Sequence, residues 1–290
     1  MPEPASRELL QEELAGLDAL ELADRVGGSR ARRIWSAAWP KVAAVAIALA
    51  LWQLVVWSGW KPEYVLPGPD KVFPELRDQL ADGTILSALQ LTMERAAKGY
   101  ALALLIGVVV GSLVASNKVL RTAFGSFITG LQTMPSVAWV PLALLLFKIS
   151  EGAVMFVVVL GAAPSIANGL ISGIDHIPPL QLRAGRAMGA RGLTLYRRIV
   201  LPAAFPGFVA GLKQGWAFAW RSLMAAELIV IVKGHQSIGV LMQTSRDLND
   251  TIGLLAAMVL ILVVGIVVDA LVFGRLEQVV KRRWGLTGSN

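Results

Sequence analysis

The chain has 290 residues, of which 55% are hydrophobic and 16% charged, and its mean hydropathy is +0.61. Soluble domains carry about 25% charged residues, so this composition, with its long uncharged runs, excludes an ordinary soluble domain and indicates a membrane protein. The absence of cysteine and the presence of only 2 histidines exclude a disulfide framework and a thiolate or His-rich metal centre, and the basic residues behind the net charge of +7 lie beside apolar runs, which does not favour nucleic-acid binding.

The first 34 residues are acidic and carry leucines at helical spacing, among them Leu10, Leu14 and Leu17. A secretory leader needs a basic start and an apolar middle, so this segment does not fit a signal peptide. We predict that residues 1–34 form an amphipathic helix on the cytosolic surface. A specific docking role for this helix stays open.

Apolar segments long enough to cross a bilayer as helices of about 20 residues follow. They fall in a predicted membrane domain of residues 35–275, at 40–58, 96–115, 121–148, 153–174, 204–232 and 251–273. The third segment is interrupted at Met134–Ser136, where proline favours a break or a kink. The sequence therefore predicts an all-α membrane protein with about six transmembrane helices.

Basic residues at the flanks of these segments indicate their orientation. Arg30, Arg32 and Arg33 precede the first segment, and the C-terminal tail 276–290 is basic. Cytoplasmic flanks are enriched in lysine and arginine, so both termini are predicted to be cytoplasmic in a multi-pass protein of the cell membrane. The loop 59–88 is net acidic and is predicted to lie on the outer side.

Two of the segments carry small residues on one helical face. The second segment has them four apart, at Gly99, Ala103, Gly107, Gly111 and Ala115. Such spacing lets another helix approach closely, and we predict helix packing there. The fourth segment has a small polar stripe, formed by Gly161, Ser165, Asn168 and Ser172. For this stripe, hydrogen bonding between helices and a pathway wall both stay open.

The fifth segment contains polar and charged residues. Gln214 and Arg221 share a helical face, whereas Glu227 lies off it. An arginine deep in a membrane helix costs about 2.5–3.5 kcal/mol on insertion scales, so Arg221 needs an ion pair, a transported anion, a gate or a subunit interface. The predicted substrate pathway consists of Gln214, Arg221 and Ser222, with Ser165 and Asn168 across the gap.

A basic loop at 175–203 joins the fourth and fifth segments. The Pro178–Pro179 pair ends the preceding helix, and Gly189 suits a turn or a helix C-terminus. We predict two short helices, at 180–188 and 192–200, in a cytosolic helix–glycine–helix hairpin. Because its ends are anchored to two membrane helices, such a hairpin would act as a lever on both.

The same loop resembles the signature cytoplasmic loop of binding-protein-dependent ABC importer permeases. That pattern is Glu-Ala-Ala, three residues, Gly, nine residues, Ile, one residue and Leu-Pro. The matching positions here are Ala184, Gly185, Gly189 with Ala190 after it, Ile199, Leu201 and Pro202, and Arg183 stands where the pattern has glutamate. The stretches "MPSVAWVPLALLLFKISEGAVMFVVVLGAAPSI" and "GWAFAWRSLMAAELI" resemble the sulfonate, taurine, nitrate and bicarbonate branch.

The resemblance implies a type I ABC importer permease fold and a transport subunit rather than an enzyme. A second copy would complete the pore, a separate ATPase dimer would hold ATP and Mg²⁺ and receive the loop, and an extracytoplasmic binding protein would deliver the solute. An aliphatic sulfonate or taurine is the first expected solute, and nitrate or bicarbonate the next. The sequence has no G-x-x-x-x-G-K-[ST] motif, so no cofactor is expected in this chain.

Two other function classes fit the sequence less well. A secondary transporter working without an ATPase typically shows repeated halves, and no convincing repeat is present, although a broken helix such as the third segment is common in that class. An intramembrane enzyme needs catalytic groups in pairs, whereas Glu227 and Asp269 are isolated in the sequence.

Overall fold

The computed structural model describes residues 30–284. The predicted amphipathic helix in 1–34 therefore lies outside the described residues apart from its C-terminal end, and so do residues 285–290 of the basic tail. The chain divides into two compact units, Met1–Pro69 and Asp70–Asn290. The first unit contains helix α1, Arg30–Trp57, where the first membrane segment was predicted. The Trp52 indole N–H donates to the carbonyl of Pro67 at 3.2 Å, which ties the end of this unit to its helix.

The second unit is helical, and the residues described in it include no β-strand. Its helices are α2 (Pro69–Ala81), α3 (Thr84–Ser116), α4 (Lys118–Thr133), α5 (Val140–Phe147), α6 (Glu151–Asp175), α7 (Pro179–Ala187), α8 (Gly192–Leu195), α9 (Leu201–Ile229), α10 (Ile238–Asp247), α11 (Thr251–Val268) and α12 (Arg275–Arg283). Two π-helical segments, Tyr196–Val200 and Asp269–Gly274, connect α8 to α9 and α11 to α12 without a break. The predicted all-α fold is confirmed.

Fewer helices than predicted have the length and hydropathy of a membrane span. Among the described residues, four qualify: Ala38–Trp57, Thr84–Ser116, Glu151–Asp175 and Thr251–Arg283. The predicted third span is two helices that meet at an angle of 105°, and counting them as one span gives five. α9, the predicted fifth span, is not among them, because its polar and charged residues lower its hydropathy. The predicted number of six spans is reached only when α9 is counted as a span because of its length of 29 residues and its central position.

Several boundaries differ from the prediction for one physical reason. α3 begins at Thr84 rather than at residue 96, and α11 continues through its π segment into α12 as far as Arg283. In both cases the extra turns carry charged residues, which an apolar run cannot include. Part of the predicted tail 276–290 is therefore helix rather than tail.

Helix α6 lies between α3 and α9 and forms the centre of the second unit. The small-residue face predicted on α3 packs against it, since a Cβ added at Gly107 would lie 2.8 Å from the carbonyl oxygen of Ala163. α6 and α9 approach even more closely. A Cβ added at Gly169 would lie 2.4 Å from the Cα of Gly211, and one added at Gly207 would lie 2.7 Å from the Cα of Gly173. The sequence did not predict this second glycine contact.

Candidate functional site

The predicted hairpin is present between α6 and α9, and we use that name for residues 176–200. α7 ends in a hydrogen-bonded cap in which the Ala190 N–H donates to the Gly185 carbonyl and the Gly189 N–H donates to the Arg186 carbonyl, each at 3.0 Å. This is the pattern of a helix closed by a left-handed residue. Gly189 is that residue, with φ +84°. The predicted turn at Gly189 therefore rests on a backbone angle that glycine adopts without strain.

The second arm of the hairpin differs from the prediction. A separate helix at 192–200, ended by Leu201–Pro202, was expected. Instead α8, the π segment Tyr196–Val200 and α9 form one uninterrupted helix. The Leu201 N–H donates to the carbonyl of Tyr196, five residues back. This wider turn admits Pro202, which has no N–H to donate and whose ring would crowd an ordinary α-helical turn.

The two arms pack through a close approach at Gly185. A Cβ added there would lie 2.0 Å from Cδ1 of Ile199 and 3.2 Å from Cδ1 of Leu195. At the base of the hairpin, Ile177, Val200 and Ala204 form a small buried cluster. The arms are therefore joined by apolar contacts between small and branched side chains.

The outer surface of the hairpin is basic and partly apolar. Its arginines are all exposed, and none has an ion pair within residues 30–284: Arg183, Arg186, Arg191, Arg197 and Arg198. Ala184 is exposed as well, and Leu180, Met188 and Leu193 are exposed to 76%, 80% and 83%. Large apolar side chains this open beside unpaired cations are typical of a surface that binds a partner.

Two contacts fix the base of this hairpin to neighbouring helices. Arg121 at the start of α4 pairs with Asp175 at the end of α6, with Nη1 2.5 Å from Oδ1. The Trp284 indole N–H donates to the Pro202 carbonyl at 2.9 Å, and its ring stacks on Phe205. The base of the hairpin is therefore held by contacts to α4 and α12 as well as by its chain connections to α6 and α9.

A buried ion cluster lies at the opposite end of the α6–α9 pair, and we use this name for Thr92, Arg95, Glu151 and Glu227. Arg95 is 2% exposed and Glu227 is fully buried. The Arg95 guanidinium donates to both carboxylate oxygens of Glu151, with Nε 2.9 Å from Oε2, and through Nη1 to Oε1 of Glu227 at 3.0 Å. One arginine thus joins α3, α6 and α9.

The remaining acceptors of Glu227 are also satisfied. Thr92 donates to its Oε2 at 3.1 Å, and the Gly239 N–H donates to the same oxygen at 3.2 Å. The Ile238 N–H in turn donates to the Thr92 hydroxyl at 3.0 Å, so the start of α10 belongs to the same network. Glu227, which is isolated in the sequence, thus has its cationic partner on another helix. The sequence did not predict Arg95 as this partner, because Arg95 lies just before the predicted second span and an apolar run excludes it.

The predicted pathway residues divide between two environments. Gln214 and Arg221 lie on an exposed face of α9, together with Ala210 and Ala217. The Arg221 Nε donates to the Ala217 carbonyl at 3.2 Å, and its guanidinium lies 4.6 Å from the centre of the Phe218 ring. No acidic residue in the described part of the chain pairs with it, so the structural ion pair left open by the sequence is not formed within residues 30–284.

The other pathway candidates lie among packed helices rather than on that face. Ser222 is fully buried, and its hydroxyl donates to Oγ of Ser136 at 2.7 Å. Ser165 is 2% exposed, and its hydroxyl has no hydrogen-bond partner among the described residues. Asn168 is half-buried on α6. The structure therefore does not bring Ser222 or Ser165 to the open face that carries Gln214 and Arg221.

A cavity of about 520 Å³ adjoins the face of α9 that carries Gln214. Lys213 and Gln214 line it on one side, and Asp269 and Glu277 line it on the other. Lys213 Nζ lies 3.6 Å from Oδ2 of Asp269 and 3.4 Å from Oε2 of Glu277. Asp269, which is isolated in the sequence, therefore has a cationic partner on α9. The side chains on the two sides of this cavity form a charged contact that links α9 to the C-terminal helices.

Known proteins similar to this chain are transport permeases. Residues 84–282 match the family described as binding-protein-dependent transport system inner membrane component. The chain is 28% identical over 236 residues to the bicarbonate transport system permease protein CmpB of Synechococcus elongatus, a match that covers 77% of this chain and 83% of the relative. It is 26% identical over 227 residues to the putative aliphatic sulfonates transport permease protein SsuC of Bacillus subtilis, covering 78% and 81%.

Solved structures show the same fold. A chain of the MetNI methionine ABC transporter, determined in inward-facing conformations, superposes with a TM-score of 0.59 at 19% identity and covers 70% of this chain and 98% of its own length. The predicted type I ABC importer permease fold is thereby confirmed. Because the family match includes the hairpin, the ion cluster and the whole of α9, this chain belongs to the binding-protein-dependent inner membrane components, the permeases of ABC importers for small solutes.

Proposed function

We propose that two copies of this chain form the translocation pathway of an ATP-driven importer for a small anionic solute. An extracytoplasmic binding protein delivers the solute, and a separate ATPase dimer that holds ATP and Mg²⁺ binds the two hairpins. The observation that carries this proposal is the hairpin itself: it joins the ends of α6 and α9 and exposes apolar residues and arginines that have no ion pair within residues 30–284. These are the properties of a docking element attached to the two most closely packed helices.

The open face of α9 supports an anionic solute. Arg221 keeps its positive charge without an acidic partner in the described residues, and Gln214 and small alanines share its face. An exposed cation between small residues can attract an anion without holding it tightly. The relatives named for aliphatic sulfonates and bicarbonate also take anions. We propose an aliphatic sulfonate or taurine first, and nitrate or bicarbonate next, with Gln214 and Arg221 on the pathway wall.

The mechanism follows from the connection between the hairpin and the helices. ATP binds the closed state of the ATPase dimer more tightly than the open state, and this difference in affinity supplies the drive. Closure moves the hairpins, which tilts α6 and α9 together because these helices are joined through the hairpin and pack backbone to backbone at their glycines. The pathway between the two copies then changes from inward-facing to outward-facing. Weak binding of the solute by the permease favours release on the far side.

For the orientation in the cell membrane, we propose that the hairpin end of the chain is cytoplasmic and that the ion cluster with α10 is on the outer side. The chain has no cysteine, so single cysteines report sidedness without interference. Met188→Cys and Leu248→Cys place a thiol at exposed positions on opposite ends of the molecule. A membrane-impermeant maleimide added outside intact cells should label position 248 and not position 188. The reverse result contradicts the proposed orientation.

Reconstitution tests the transport function directly. Proteoliposomes containing the permease, its partner ATPase and the binding protein should take up taurine or an alkane sulfonate only with ATP. Arg221→Gln should lower uptake more than Arg221→Lys, because only the first removes the charge. Uphill transport by the permease alone would instead establish a secondary transporter. ATP-dependent uptake of neutral solutes only would refute the anion assignment.

A further inference from the structure

One side of α7 is built to enter a cleft. Leu180, Arg183 and Ala187 are exposed and lie on the side opposite Gly185, which faces the other arm, and the exposed Ala184 borders this side. Two alanines allow close approach by another surface, and Leu180 offers an apolar anchor. Arg183 is central on this side, and the exposed Arg186 flanks it three residues further on. Small alanines beside the arginine suit a fitted protein cleft, whereas a helix that binds a membrane surface carries large apolar residues along its face.

Arg183 gives this surface a positive charge where the pattern of related loops has a negative one. It occupies the position where the pattern of related loops has glutamate, and no carboxylate within residues 30–284 pairs with it. The acidic residue nearest to Arg183 in the sequence is Asp175 at the base of the hairpin, and it pairs with Arg121 instead. A guanidinium that enters a cleft loses water, and this costs free energy unless a carboxylate meets it, preferably through two parallel hydrogen bonds.

We propose that the ATPase subunit presents an acidic residue in the cleft that receives α7, and that this carboxylate pairs with Arg183. The inference rests on the proposed function, because it specifies the chemistry of the proposed ATPase contact. It also makes Arg183 a residue that determines partner choice. An ATPase whose cleft is basic at this point, and so suited to a glutamate-bearing loop, would place like charges together and be rejected.

Association of the purified permease with its ATPase in detergent, without binding protein, tests the inference. Arg183→Glu should weaken this association at least tenfold, which corresponds to about 1.4 kcal/mol. Arg183→Lys keeps the charge and should lose much less. Arg246→Glu makes the same charge reversal on exposed α10 at the other end of the molecule and should leave association unchanged.

A crosslink and a rescue identify the partner residue. Because the chain has no other cysteine, Arg183→Cys can be crosslinked to the ATPase and the acidic residue nearest the crosslink located. Replacing that residue by lysine should restore association with Arg183→Glu and weaken it with the wild type.

Equal association of the wild type and Arg183→Glu overturns the inference while leaving the proposed function intact. A loss that appears only in bilayers with anionic lipid, or only when residues 1–29 are present, also overturns it, because lipid or the acidic N-terminal segment would then be the occupant. Failure of the wild type to bind any ATPase overturns the proposed function and this inference together.

Discussion

The two ends of the α6–α9 pair are held by opposite kinds of interaction. At the ion cluster, Arg95 and Glu227 are buried and fully hydrogen-bonded to neighbouring helices. At the hairpin, the arms meet through apolar contacts around Gly185, and the arginines are exposed with no ion pair among residues 30–284. A buried charged network resists separation, because any gap leaves a charge without a partner. The comparison indicates that the ion cluster is a fixed point and that the hairpin is the end open to a partner.

The largest effect should come from breaking the fixed end. Arg95→Met leaves the fully buried Glu227 carboxylate without its cation, and we expect a loss of about 3–5 kcal/mol in the free energy of unfolding. Thermal unfolding in detergent measures it. The double variant Arg95→Met/Glu227→Gln should recover much of the loss, because no buried charge is left unpaired. Lys98→Met, which breaks only the surface pair with Glu94, should change little. A stable single variant would contradict the role of the cluster.

An added methyl group should destabilise the protein more at the glycine contact between α6 and α9 than at a glycine with free space around it. Gly169→Ala brings a methyl group to 2.4 Å from the Cα of Gly211, and backbone cannot rotate away as a side chain can. We expect a loss of about 1–3 kcal/mol, with lowered transport, measured by thermal unfolding and solute uptake. Gly130→Ala has nothing within 4 Å of the added carbon and serves as the matched control. Equal stability of the two variants would show that α6 and α9 can separate.

A smaller effect on stability, with a clear effect on coupling, is expected at the hairpin turn. Gly189 has φ +84°, and a residue with a Cβ in this region costs about 1–2 kcal/mol. Gly189→Ala should therefore reorient α7 and lower solute-stimulated ATPase activity while membrane insertion stays normal. ATPase assays with and without loaded binding protein measure the change. Undiminished stimulation would argue against force transmission through this turn.

The smallest effect is expected from Gly185→Ala. The added methyl meets Cδ1 of Ile199 at 2.0 Å, but this atom is the end of a flexible side chain and can turn aside. Alanine also gains about 1 kcal/mol over glycine in a helix. We expect a net change within about 1 kcal/mol in thermal unfolding and nearly normal coupling. A large loss would mean that the arms are as tightly fixed as the ion cluster, and the contrast between the ends would disappear.

The hairpin could be predicted from prolines and glycines that act on neighbouring residues. Contacts between residues far apart in the sequence could not be predicted. Pro178 and Pro179 at the start of α7, and Gly189 after its end, act on their own backbone, so the sequence alone indicates their effect. Pro202 gave a wrong boundary, because the π segment before it accommodates a proline within a continuous helix. The ion cluster was not predicted because Arg95 and Glu227 lie 132 positions apart in the sequence. Only the presence of an acidic residue, Glu227, within a predicted membrane span pointed to a buried charge.

The sequence anticipated the positions of the proposed pathway residues only in part. Helical spacing put Gln214 and Arg221 on one face of α9, and both are exposed there because they lie on the same helix. Spacing cannot tell which face of α9 meets α6, and Ser222 fell on the packed side. That choice depends on where the glycines of α6 and α9 meet, which is a property of two helices rather than of one.

The π segment Tyr196–Val200 sets the rotational phase of the second hairpin arm. Each residue of an α-helix turns the chain by about 100°, so the widened turn determines which way Leu195 points relative to the rest of the helix. Deleting one residue there would swing Leu195 away from Gly185 without altering any residue in the bilayer. Selection on related chains should therefore preserve the number of residues between Gly189 and Pro202 more strictly than their chemical identity.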